Sequence, residues 1–411
     1  MPSPIQHLAA APHRAFFFLG ALQSLLAMLW WSLELGGRLG LTMPPAPLWT
    51  TAFSPAAAHA WSLLYGLFPA FIFGFIFTAG PNWLNAPAIA RRHYLGAAIG
   101  LGLGGLLFYP ALYWPALRLP ALLLHAAGWA VALIALHGML RGAEASDKQH
   151  ARLASLALLL GGLGALAFLF GIAADQADAS RLAEILAVWG CLVPLFLVVC
   201  HRMLPWFTSR VVANYVLIRP YRPLYLMLAA SLLHGALDFG GRSDLTWLAD
   251  LPLLGFTLWF SARWGIARSF GVPLLAMLHI AFVWAAVAFA LYALASLLAW
   301  LNLATALATT LGDAPLHALG IGFFASMLIG MASRVSLGHS GRKLEADRLT
   351  RALFWLIQAI AVVRMAPDLA PDFIPYPAVA VSALLWLLVF GLWAGHYAPF
   401  YWRPRVDGKP G

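Results

Sequence analysis

Apolar runs of about 20 residues recur along the whole chain, and a helix rising about 1.5 Å per residue needs that length to cross roughly 30 Å of hydrocarbon. Hydrocarbon offers no partner to an unpaired backbone amide, so each run must fold as a helix that satisfies its own hydrogen bonds. The runs fall at 16–36, 57–79, 94–115, 120–141, 153–174, 183–201, 224–239, 246–261, 273–300, 313–333, 351–367 and 376–400. The expected fold class is therefore all-α, a polytopic membrane helical bundle of about twelve transmembrane helices, with the 224–239 and 246–261 pair the shortest. Composition agrees: 10% of residues are charged and 62% apolar, far from the roughly 25% and 45–50% of a soluble domain. No hydrophilic stretch is long enough for a soluble domain, so residues 1–411 read as a single integral-membrane domain.

The basic residues test the count, because positively charged loops stay cytoplasmic. With the N-terminus inside, 20 of the 25 Lys and Arg residues fall in inner segments, and only Arg38, Arg118, Arg181, Arg242 and Arg364 fall outside. A miscounted helix would flip every later loop, so the asymmetry supports twelve spans with both ends inside. The net charge of +10 is then a signature of membrane orientation and not of a nucleic-acid surface. The first run is longer than a signal h-region and no small-residue cleavage site closes it, so it reads as a retained helix. Cys191 and Cys200 fall on opposite faces of one expected helix and cannot pair with each other, and no CxxCH motif for covalent c-type haem occurs.

Two loops stand out: the Pro-rich outer loop 41–55, and the basic inner loop from His201 to Pro223, where Pro205 is expected to stop the helix. Residues 301–313 read as a surface segment before Asp313 caps the tenth helix, with Pro315 in its first turn. No period of 20–50 residues marks a repeat array.

Acidic residues within the spans, Glu34, Glu184 and Asp238, fall near outer ends. Ion pumps depend on buried carboxylates, which counts against transport. Histidine is different: His59, His125, His137, His201, His234, His279 and His317 all lie within or at the margin of an expected helix. Neutral imidazole is the least costly ionisable group in lipid and a common ligand for haem iron, copper and zinc. Helix orientation sorts them into an outer layer (His59, His125, His234, His317) and an inner one (His201, His279, with His339 in the loop "SLGHSGR"). Each has an alternative reading as an interfacial imidazole bonded to a carbonyl or water. Below His59, Ser62, Gly66, Ala70 and Gly74 form a strip without bulk, either for close helix packing or for the edge of a haem. Gly320 offers a similar opening one turn from His317. His339 lies too far along the same helix to share a site with His317, leaving it a second site with His201 and His279, or a role in ordering its loop beside Arg334 and Arg342.

Four stretches, "HAWSLLYGLFPAFIFGFIFTAGPNWLNAP" (59–87), "HRMLPWFTSRVV" (201–212), "HALGIGFFASMLIGMASRVSLGHSGR" (317–342) and "YAPFYWRPRVDGKPG" (397–411), together with "LHIAFVW" (278–284), resemble the NnrS family of polytopic bacterial membrane proteins. The resemblance spans nearly the whole chain, and "SRVSLGHSGR" is its most specific block. It implies a twelve-helix inner-membrane protein containing haem b and copper, linked to nitric oxide metabolism or resistance. His59, His279, His317 and His339 match family histidines as metal-ligand candidates, and Arg334 matches as well. With His201, His234 and Arg342 these make up the candidate cofactor-binding set. Many family members carry His-x-His-Glu where this chain has His59, Trp61 and Ser62, so one imidazole and one carboxylate are missing.

Three function classes follow. The first binds or converts nitric oxide at a His-ligated haem, with turnover requiring a membrane or periplasmic electron donor. The chain lacks the adjacent His-His pair of haem–copper oxidases. The second is a transporter or export factor for a small solute, and the third a haem-binding sensor or assembly protein without turnover.

Overall fold

The computed structural model describes residues 3–41, 49–303 and 311–408. Parts of the stretches 41–55 and 301–313 lie outside the described residues. Among the described residues the chain is helical throughout, in twelve long rods: α1 Pro12–Arg38, α2 Pro55–Leu84, α3 Arg91–Ala111, α4 Pro115–Arg141, α5 Gln149–Ala174, α6 Ala177–Val211, α7 Tyr221–Phe239, α8 Ser243–Arg263, α9 Pro273–Trp300, α10 Ala314–His339, α11 Arg348–Leu369 and α12 Pro377–Trp402. Eleven are long and apolar enough to cross a membrane. The exception, α7, carries Arg222, His234 and Asp238 within 19 residues, and it belongs to the shortest expected pair.

Helix starts follow local chemistry. The Ser54 hydroxyl accepts the Ala57 amide ahead of α2, and the Asp347 carboxylate accepts the Thr350 amide at 2.7 Å ahead of α11, each satisfying a donor that the helix leaves unpaired. Most rods run several residues past the apolar runs, because a helix keeps its hydrogen bonds beyond the hydrocarbon boundary. The expectation that Pro205 ends the sixth helix is corrected: α6 continues through it to Val211. A proline costs one backbone bond, and the following turn, with Phe207 and Thr208 buried, offers packing that outweighs that loss.

Every fourth rod departs from α-helical pitch. π-helical turns occupy Ser62–Leu67 in α2, Leu186–Leu192 in α6 and Ala318–Ala325 in α10. The Phe68 amide accordingly bonds to the Leu63 carbonyl, five residues back. Such turns are rare and concentrate at functional sites. His59 stands just before the first and His317 immediately before the third.

The chain divides into two compact units, Met1–Leu192 with Val335–Lys343 and Phe390–Gly411, and Val193–Arg334 with Leu344–Val389. In the first, α3 and α4 cross at glycines: a Cβ on Gly100 would lie 2.5 Å from the Gly128 Cα, and one on Gly104 would lie 2.6 Å from the His125 amide nitrogen. Ile99, Leu103 and Leu106 on α3 stay exposed, an apolar stripe suited to lipid and costly in water. The C-terminal segment straps back over the start of α1, where the buried Arg14 donates to the Tyr401 and Arg403 carbonyls. The second unit packs around Phe196, Phe260, Trp264, Phe282, Phe323 and Phe324.

Candidate functional site

Within the second unit, the end of α6 carries a polar cluster. His201 is buried and its Nε2–H donates to the Pro220 carbonyl at 2.9 Å. Seven residues on, two helical turns and nearly the same face, the Thr208 hydroxyl donates to the Leu204 carbonyl at 2.9 Å and lies 3.1 Å from His279 Nε2 on α9. With that hydroxyl proton used by Leu204, the imidazole must donate from Nε2, and its Nδ1 is then a bare lone pair. Nδ1 is buried and has no hydrogen-bond partner among the described residues. Beside it in sequence, the Phe207 ring carries the Arg334 guanidinium at 4.1 Å from its centroid. His201 thus lies two turns from Thr208 on α6, and the last turns of that helix meet His279 through Thr208 and Arg334 through Phe207.

His234 on α7 is paired with a residue that sequence reasoning passed over. Its Nδ1 lies 2.7 Å from Asp250 Oδ1 on α8, with side-chain exposures of 4% and 0%, and the Tyr292 ring of α9 meets it edge-on at 5.0 Å. Asp250 had a sequence signal, a carboxylate inside an apolar run, which as a buried ionisable group is a functional candidate by default.

At the start of α10, His317 is only half-buried and its Nδ1–H donates to the Asp313 carbonyl at 2.8 Å. Asp313 stands at the N-cap, yet its side chain makes no capping bond. Instead its carboxylate lies 3.9 Å from Arg364. Gly320 has open space where a Cβ would be, as the small-residue opening requires. The following π-turn is held by a polar chain: Trp284 Nε1–H donates to Gln358 Oε1 at 2.6 Å, and Gln358 Nε2 donates to the Ser326 hydroxyl at 2.8 Å.

In the first unit, His59 stacks on Trp31 with centroids 4.2 Å apart and planes 17° from parallel. The strip below it is filled by α1: a Cβ on Gly74 would meet Phe16 and Phe17 at 2.8 and 2.9 Å, and one on Gly66 would meet Gln23 at 3.6 Å. This is close helix packing, the alternative to a haem groove. His125 is fully buried against Trp61 at 5.0 Å, and neither ring nitrogen meets hydrogen-bond geometry among the described residues.

His339, at the far end of α10 from His317, stacks on His13 with centroids 4.5 Å apart. Of the expected inner grouping, His339 belongs to the first unit and His201 and His279 to the second. Arg342 lies over the Phe400 ring at 3.8 Å. Arg405, outside the spans, has its basicity raised by the carboxylate of Asp407, to which it is hydrogen-bonded.

Among the described residues no three His, Cys, Asp or Glu side chains stand close enough together to hold a metal ion. Haem iron needs only one or two imidazoles from a protein, and the bare Nδ1 of His279 and the carboxylate-bound imidazole of His234 are donors of that kind. Cys191 and Cys200 are buried free thiols.

No curated protein matches the chain. A family model described as NnrS protein matches residues 7–405, a range that takes in α1 to α12 and every histidine described above. A multi-pass helical membrane protein whose match runs almost end to end, this chain belongs to the NnrS family.

Proposed function

We propose that this chain is a b-type haem protein of the bacterial cytoplasmic membrane that binds or converts nitric oxide at a His-ligated site, in nitric oxide metabolism or resistance. The observation that carries the reading is the family match over residues 7–405. The His279 tautomer supports it, because a buried imidazole nitrogen with an unshared lone pair is a ligand geometry with its desolvation cost already met. A bound haem would supply the iron that takes nitric oxide. His201, His279 and Arg334 would hold and orient the group within the second unit, and His59, His234, His317, His339 and Arg342 remain candidates for further haem or for copper. Turnover would require electrons from a membrane or periplasmic donor. Both ends face the cytoplasm in this reading, which a reporter fused after Gly411 tests directly: a periplasmic readout there contradicts it.

The experiment is an absorption spectrum of the full chain purified in detergent from haem-replete cells, with haem and metal content per polypeptide. The expected result is a Soret band that shifts on adding nitric oxide, with pigment extractable by acid–acetone. A colourless preparation overturns the reading and favours a transporter, for which the buried Asp250–His234 pair is the specific supporting observation.

A further inference from the structure

We infer that His234 is a haem-iron ligand and that Asp250 is the positioning residue that orients it and fixes its tautomer, an inference that rests on the haem reading above. Three helices of one unit build the pair. α7 supplies His234 and α8 supplies Asp250, joined by a 2.7 Å hydrogen bond between side chains 4% and 0% exposed. α9 supplies Tyr292, whose ring, edge-on at 80°, fixes the plane of the imidazole.

Packing alone does not account for this arrangement. A carboxylate taken out of water among apolar helices costs several kcal/mol unless it is well paired, and two apolar side chains of similar volume would fill the same space without that cost. Asp250 accepts from His234 through Oδ1, and its other oxygen, Oδ2, is buried and meets no hydrogen-bond geometry among the described residues. Moreover, the surviving bond is directional. A carboxylate accepts, so Nδ1 carries the proton and the ligating nitrogen is fixed as Nε2. A carboxylate on the outer nitrogen is the recurring support of metal-bound histidine, where it sets the tautomer and increases electron donation to the metal. For haem iron that donation stabilises the ferric state, and second-shell hydrogen bonding of this kind is one of the protein's levers on reduction potential.

The test uses the full chain in detergent, comparing wild type, His234→Gly and Asp250→Asn by haem content, absorption spectrum and haem midpoint potential. His234→Gly is expected to lose or grossly alter a haem signal, and added imidazole, entering the space left by the side chain, is expected to restore it. Asp250→Asn keeps a hydrogen-bond acceptor of the same size but no charge, so haem should stay bound while its midpoint potential shifts upward. A purely structural pair would lower thermal stability in that variant without moving the potential. A coloured wild type whose spectrum survives His234→Gly, or whose potential is unmoved in Asp250→Asn, overturns the inference and leaves the proposed function standing. A colourless wild type overturns the function itself. If His234→Gly fails to accumulate, the potential of the near-isosteric Asp250→Asn decides alone.

Discussion

His13 and His339 stack with ring centroids 4.5 Å apart and planes tilted by 39°, joining the first turn of α1 to the last turn of α10. The His13 amide donates to the Thr78 hydroxyl at 3.1 Å, and Ser340, next to His339, accepts the Val406 amide of the C-terminal strap at 3.1 Å. The pair therefore closes a junction between three remote parts of the sequence. Aromatic pairs contribute about 0.5–1.5 kcal/mol beyond their buried area. A double-mutant cycle of His13→Ala and His339→Ala, read by thermal unfolding in detergent, should give a coupling of about that size. Additive single effects would mean that the stack contributes nothing of its own.

The α3–α4 crossing should respond sharply to one added methyl. A Cβ on Gly128 would lie 2.4 Å from the Leu101 backbone nitrogen and 2.9 Å from the Gly100 Cα, whereas one on Gly138, later in the same helix, meets nothing within 4 Å. Gly128→Ala should therefore destabilise by about 1–3 kcal/mol, the usual cost of overpacking, and Gly138→Ala should be neutral or slightly stabilising, since alanine favours the helix. Equal melting temperatures for the two variants would refute the crossing geometry.

Gln358 bridges Trp284 and Ser326 in the second unit. Gln358→Leu removes both bonds, leaving the indole N–H without its acceptor, and should cost about 1–3 kcal/mol. Ser326→Ala leaves the Trp284–Gln358 bond in place and should cost less. Hydrogen exchange across 318–326 should rise in both, because Ser326 also donates to the Ile321 carbonyl at 3.2 Å within the π-turn. Unchanged exchange there would show that the π-turn does not depend on this chain.

Asp175, at the end of α5, accepts the Ala52 amide at 2.9 Å. That bond first, and the Thr50 and Thr51 hydroxyls after it, hold the carboxyl below its ordinary range. A depressed carboxylate contributes stability above its unfolded value and loses it as pH falls through the folded value. Exchange of the Ala52 amide, corrected for intrinsic rate, should therefore accelerate on acidification below the ordinary carboxylate range. Asp175→Asn should flatten that pH dependence, and a variant that retains it would assign the effect to another group.

The twelve rods were legible because span length is one-dimensional: it follows from hydrocarbon thickness and the rise of a helix. The run at 273–300 matches α9 at both ends, and α7 was already among the two shortest. The candidate site was legible only as a set of residue types. His234 stood out as an imidazole near a helix end, but its partner Asp250 lies on the next helix, and nothing in residue spacing says which faces of α7 and α8 meet.

The sequence by itself determined that the chain is helical, where each helix lies, and which residues are chemically able to ligate, because backbone bonds in hydrocarbon must close within each helix. Tertiary structure decided which nitrogen each imidazole offers. Thr208 sets the tautomer of His279 and Asp250 that of His234, His339 meets His13, and the glycine strip below His59 is filled by Phe16 and Phe17. The physical reason is that a helix fixes the position of its side chains about its own axis, whereas its rotation against its neighbours is set by packing among residues far apart in sequence.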